Sequence, residues 1–341
     1  MRRLTLVLAG LLLVSGPARA VPPADPKPAD SKPAALESKK ISRELPTPYT
    51  GNFTGAAVPP ASSQPPDVAY GAYQRGQYIT AFREATKRIE ANPKDAAAMT
   101  LLGELYNQGL GVPQNPVKAA EWYKVAAGLS DPAALSSLGL MALDGRGIPR
   151  DQKAGRRWLE QAAALGSPTA AYNLGLILVG TGNAADEAEA AKQFRKAAEA
   201  EVGPAQHDLG VLYLQGRGVP KDPTQAASWF RRAADNGDLA GEVEFAILLF
   251  NGTGVTKDEK AAARYFLHAA RRGNAIAQNR IARLYAAGRG VPKNLVEAAA
   301  WNLAAAGQGL SDAWLDQAVT GLTKDEKVRA ERLGNDRAEP Q

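Results

Sequence analysis

The sequence predicts an all-α fold, a solenoid built from antiparallel helix pairs, on three observations. First, the segment Leu209–Pro220 recurs along the chain. Its anchor falls at Gly103, Gly139, Gly175, Gly210, Ala246 and Ala282, in steps of 36, 36, 35, 36 and 36 residues. Second, another segment follows each copy at matching spacing, centred on Trp122, Trp158, Gln193, Trp229, Tyr265 and Trp301, with two alanines four and five residues on. Third, a helix-capping residue stands seven places before each of these centres. Periods of this length mark supersecondary units that bury their apolar faces only against one another.

Each unit reads as helix, glycine loop, helix. In the first helix the residue before the anchor and those two and three after it are apolar (Leu209, Leu212 and Tyr213, for example), which is one helical face. A small residue five before the anchor (Ala98, Ala134, Ala170, Ala205, Gly241, Ala277) allows helices to approach closely. Loop glycines such as Gly216 are expected to end the helix in a left-handed conformation, and Gly218 to relieve the turn. The Val or Ile that follows is expected to plug the gap between layers. Asn115, Asp151, Asp186, Asp222, Asp258 and Asn294 are then the N-caps of the second helices. Pro116 and Pro223 fit the first helical position.

The pattern Ala…Leu-Gly-x-Leu-Tyr-x-x-Gly-x-Gly-Val…Asp…Ala-x-x-Trp-Phe-x-x-Ala-Ala resembles the Sel-1-like repeat, a subclass of the tetratricopeptide superfamily. The resemblance implies a right-handed superhelical solenoid of six units over residues 95–310. The third unit departs from it. Gly180-Thr181-Gly182-Asn183 lacks the Val-Pro and is one residue short, and Gln193 replaces the aromatic. Residues 67–94 look like a partial tetratricopeptide unit, with Gly76, Tyr78, Ala81 and Pro93 at that family's spacing. Residues 311–341 read as a polar closing helix and tail, with a capping box at Thr323 and Glu326.

The first residues carry an export pattern: basic Arg2 and Arg3, an apolar run from Leu4 to Val14, then Ala18-Arg19-Ala20. Residues 1–20 are expected to be a cleavable signal peptide, directing the chain to the periplasm or the medium. The run is short for a membrane span, so no stable insertion is expected after cleavage. Residues 21–66, dense in proline and alanine, read as a disordered linker. The net charge is +6, of which Arg2, Arg3 and Arg19 supply three, so the mature chain is too weakly basic to argue for nucleic acid. There is no cysteine, which excludes disulfides and thiolate chemistry.

No cofactor or metal is expected. The repeated Gly-x-Gly follows a helix rather than a strand and lacks the phosphate-binding lysine, so it reads as a turn. His207 and His268 have no cysteine partners. Acidic residues are expected at caps or in helix ion pairs such as Glu187-Glu189-Lys192. One stripe of the first helices, three before, one after and four after the anchor, is mostly apolar in the middle units: Leu140, Leu143, Tyr172, Leu176, Val179, His207, Val211, Leu214, Ile247 and Phe250. Two uses fit it, inter-repeat core or the floor of a groove holding a partner segment. In tetratricopeptide relatives the first helices line the concave groove, so the resemblance implies a protein or peptide partner lying there. It further implies a periplasmic scaffold or regulator rather than an enzyme. Cysteine-rich exported relatives suggest a β-lactam- or wall-acting hydrolase as an alternative, and a wall-associated structural role is a third.

Overall fold

The computed structural model describes residues 67–338, and the expected signal peptide and linker lie outside them. Among the described residues there are sixteen helices and no strand. α1 (Val68–Gln74) and α2 (Tyr78–Ala91) form the first pair. Six longer pairs follow: α3 (Ala96–Gln108) with α4 (Pro116–Gly128), α5 (Pro132–Asp144) with α6 (Gln152–Ala164), α7 (Pro168–Val179) with α8 (Ala184–Glu199), α9 (Gly203–Gln215) with α10 (Pro223–Asp235), α11 (Leu239–Asn251) with α12 (Glu259–Arg271), and α13 (Ala275–Ala287) with α14 (Leu295–Gly307). α15 (Ala313–Ala318) and α16 (Lys324–Ala338) close the stack, α16 lying along α14.

The local signals act where they stand. Asn115, Asp151, Asp222, Asp258 and Asn294 each accept a hydrogen bond from a first-turn amide of the helix they precede. Asp186 is a correction. The cap of α8 is Asn183, whose side chain accepts from the Asp186 amide at 2.8 Å. Because the third loop is short, the earlier cap is reached first and α8 begins a turn sooner, running to 16 residues where the other second helices of the six units have 13. Gly216 ends α9 at φ +75°, its N–H donating to the Leu212 carbonyl, as expected. The capping box at the last helix is reciprocal: the Thr323 amide donates to Glu326, and the Glu326 amide to Thr323 Oγ1.

Packing within each pair turns on the anchor. A Cβ built on Gly210 would sit 2.7 Å from the Phe230 ring, and one on Gly103 2.6 Å from the Tyr123 ring. The glycine therefore lets the two helices close on a large side chain. That side chain is not the repeating tryptophan but the residue after it: Tyr123, Leu159, Phe194, Phe230 and Phe266 are at most 2 % exposed. The small residues five before the anchor are buried against the preceding pair, with Gly241 meeting the Ala233 methyl. The core is a relay of linked clusters along the stack, each shared by neighbouring units.

The stack is closed by a buried acid. Asp312, 8 % exposed, caps α15 and is held by Arg283 Nε at 2.6 Å and Asn279 Nδ2 at 2.8 Å, both from α13. Burial would raise its pKa, but the Arg283 and Asn279 bonds outweigh that and hold it below the usual aspartate value. Asp312→Ala should therefore free α15 before α13, read as amide exchange that quickens in α15 while α13 stays protected. Unchanged α15 protection would show that the cap is held otherwise.

Candidate partner-binding groove

The first helices of neighbouring units touch, α9 with α11 and α3 with α5, while no two second helices of the six repeats pack comparably. At these joints the first helices are therefore the more closely packed side of the stack.

The ten stripe residues fall into two groups. Leu140, Leu143 and Tyr172 are buried, at 7, 8 and 8 % exposure. Leu176, Val179, His207, Val211, Leu214, Ile247 and Phe250 are half-buried. All ten lie on one side of α5, α7, α9 and α11, and the row is packed between units at Leu140, Leu143 and Tyr172 and only half-covered at the six remaining apolar positions, which also rest against the core.

Beside the apolar row runs a polar one that the hydrophobic pattern does not reveal. It occupies the position two before the anchor: Asp208 on α9, Glu244 on α11 and Arg280 on α13. Asp208 is satisfied, accepting from the Tyr172 hydroxyl at 3.0 Å and lying 2.9 Å from His207 Nδ1. Burial alone would depress His207, but Asp208 outweighs it and raises its pKa. The His207 ring also packs on Phe230, centroids 5.6 Å apart. Glu244 and Arg280, one repeat apart, make no hydrogen bond or ion pair among the described residues. Burial raises the pKa of Glu244 and lowers that of Arg280. Glu244 is half-buried and Arg280 exposed, and neither has an oppositely charged group at ion-pair distance among the described residues. The signal was in the sequence, as an acid, an acid and a base at one register of successive units.

Elsewhere, ionic groups serve the scaffold. His268 is exposed and lies 2.6 Å from the buried Glu242 carboxylate. Glu189 pairs with Lys192 at 3.1 Å, as expected. Glu187 does not join them; it receives the Arg217 guanidinium at 2.6 Å from the next unit's loop. No group of three or more metal-ligating side chains lies together among the described residues, and no described helix is long and apolar enough to cross a membrane.

Consecutive two-helix units, each capped, glycine-bent and packed on the next, define a helical-repeat solenoid. Six matches to the Sel1 repeat cover residues 96–131, 132–167, 168–202, 203–238, 242–274 and 275–310, and the chain belongs to that family. It is similar in structure to a Sel1 repeat protein from Oxalobacter formigenes (29 % identity, 71 % of this chain and 97 % of that one, TM-score 0.60). It is also similar to c5321, a protective antigen present in uropathogenic Escherichia coli strains (27 % identity, 80 % of this chain and 68 % of that one, TM-score 0.51). No curated protein sequence matches the chain significantly. Sel1 repeat proteins generally mediate protein–protein interaction and are typically non-enzymatic scaffolds.

Proposed function

We propose that this protein is an exported adaptor, a periplasmic regulator or accessory factor that holds a segment of a partner protein along its concave face. The observation that carries the reading is the half-buried, unsealed apolar row of Leu176, Val211 and Ile247 beside half-buried Glu244 and exposed Arg280, which make no hydrogen bond or ion pair among the described residues. A bound segment would cover the apolar row and pair with both ions at hydrogen-bond distance. Export rests on the pattern Arg2 to Ala20.

The test is a photoreactive residue placed at Val211 in cells making the full chain, with a second placed at exposed Val125 on a second helix as control. Discrete adducts are expected at Val211 and not at Val125. Leu214→Asp should leave the melting temperature unchanged and reduce those adducts by about tenfold or more, the scale of losing one central apolar contact. A fall of several degrees in melting temperature would assign this row to the core instead. Cell fractionation should recover a mature chain beginning at Val21 in the periplasm or medium. A full-length cytoplasmic chain would remove the envelope role.

A further inference from the structure

The loop between the helices of each unit carries a wedge into the unit before it. The second loop glycine sits at positive φ directly on the first turn of the preceding second helix. A Cβ on Gly147 would fall on the Pro116 carbonyl, on Gly218 on that of Glu187, on Gly254 on that of Pro223, and on Gly290 on that of Glu259. The next residue, Val112, Ile148, Val219, Val255 or Val291, is half-buried against the shared core. Below these wedges the residue two after the anchor is sealed: Leu105, Met141, Leu212, Leu248 and Leu284 are at most 5 % exposed.

The third unit has no wedge. Gly182 keeps φ +70°, but a Cβ there would meet nothing within 4 Å. Ile177, the residue that should be sealed, is half-buried. A cavity of about 270 Å³ opens at this place, with Leu143 and Ile177 among its walls and Lys153 and Arg156 of α6 at its rim. That is below the roughly 300–1,000 Å³ of drug-sized pockets and suits one or two residues of a peptide.

The acid is missing as well. At two other joints the preceding helix offers an acid that meets a loop arginine: Glu187 with Arg217, and Glu259 with Arg289 at 2.5 Å. At the open joint the same register holds Gln152, followed by Lys153, which makes no ion pair among the described residues. Among the described residues Arg156 pairs only with exposed Glu160 on its own helix, at 2.8 Å.

We propose that this open joint is a peptide socket which takes, from a partner protein, what the other loops supply internally: a short turn presenting a Val or Ile, here flanked by acidic residues. Five filled sockets in the same chain show which side chain fits, and the basic rim selects the flanks. The socket lies at the loop end of the stack and does not depend on the groove reading.

The test uses the full chain with isotope-labelled Ile methyl groups, Ile177 assigned by Ile177→Val, and two probes: acetyl-Glu-Gly-Val-Pro-Glu-amide and its counterpart with Lys for Glu. The acidic peptide is expected to shift the Ile177 methyl saturably, with a Kd on the order of millimolar. The basic one should bind roughly two- to fivefold more weakly, as exposed ion pairs allow. Lys153→Glu should reverse that preference. Replacing residues 180–183 with the loop sequence of 216–222 should close the socket, abolish the shift and raise the melting temperature. No saturable shift, equal binding of both peptides, or no reversal in Lys153→Glu would overturn the proposal whether or not the loop graft folds. So would an Ile177 signal that moves with protein concentration alone, which would place a second copy of the chain there.

Discussion

Phe230→Ala is expected to destabilise the protein by roughly 3–5 kcal/mol, the scale of emptying a fully buried aromatic site. Phe230 is 0 % exposed and fills the space that Gly210 leaves between α9 and α10. Neither backbone can move in to fill the hole, because each also packs on a neighbouring unit. The adjacent Trp229→Ala should cost less. Trp229 is 6 % exposed, but its indole N–H is buried without a partner, so its removal also removes an unmet donor. Denaturant titration checks both, and a Trp229→Ala loss exceeding that of Phe230→Ala would contradict the assignment. A sharper check is a change of sign. Gly210→Ala alone should destabilise, since its Cβ would lie 2.7 Å from the ring. In the Phe230→Ala background the same substitution should stabilise, by partly filling the cavity. Additive effects would break the coupling on which this packing rests.

The same pair of residues shows how far the sequence could be read. Period, capping and loop glycines are local properties, stated in residue types at fixed spacing, and Asn115, Gly216 and the box of Thr323 and Glu326 stand as the pattern requires. The repeating tryptophan drew attention because it repeats. The more deeply buried residue is its neighbour, which varies from Tyr123 to Leu159 to Phe230 and so leaves no constant letter. What could have located it is the glycine it faces, since a helix interior tolerates glycine badly unless something large must approach. Cap choice at α8 was ambiguous for a different reason. Asn183 and Asp186 can both cap, and only the tertiary loop length decides between them. The groove was half legible. An apolar stripe can be assigned to a helix face, but how far a neighbour covers it depends on the packing of successive units, which buries Leu140 and Leu143 and leaves Val211 and Leu214 half-buried. The ions Glu244 and Arg280 escaped because a hydrophobic pattern passes over charge.

Gly218→Val is expected to cost roughly 2–5 kcal/mol, combining a left-handed backbone with an overpacked contact. Gly218 has φ +66°, and its Cβ would fall on the Glu187 carbonyl, so the loop would have to lift from α8. Lifting it would also draw out Val219 and separate Arg217 from Glu187, now 2.6 Å apart. These contacts join the third unit to the fourth, not the two helices of one unit. The loss should therefore appear as decoupling, with unfolding that becomes broader or biphasic as the two halves of the stack melt separately. Gly182→Val is the internal control. It has the same positive φ, at +70°, but nothing within 4 Å of its Cβ, so it should show the backbone penalty alone, roughly 1–2 kcal/mol, and keep a single transition. Equal losses at the two positions would mean that the loops contribute only their own conformation. A larger, decoupling loss at Gly218 would show that the wedges bind one layer to the next.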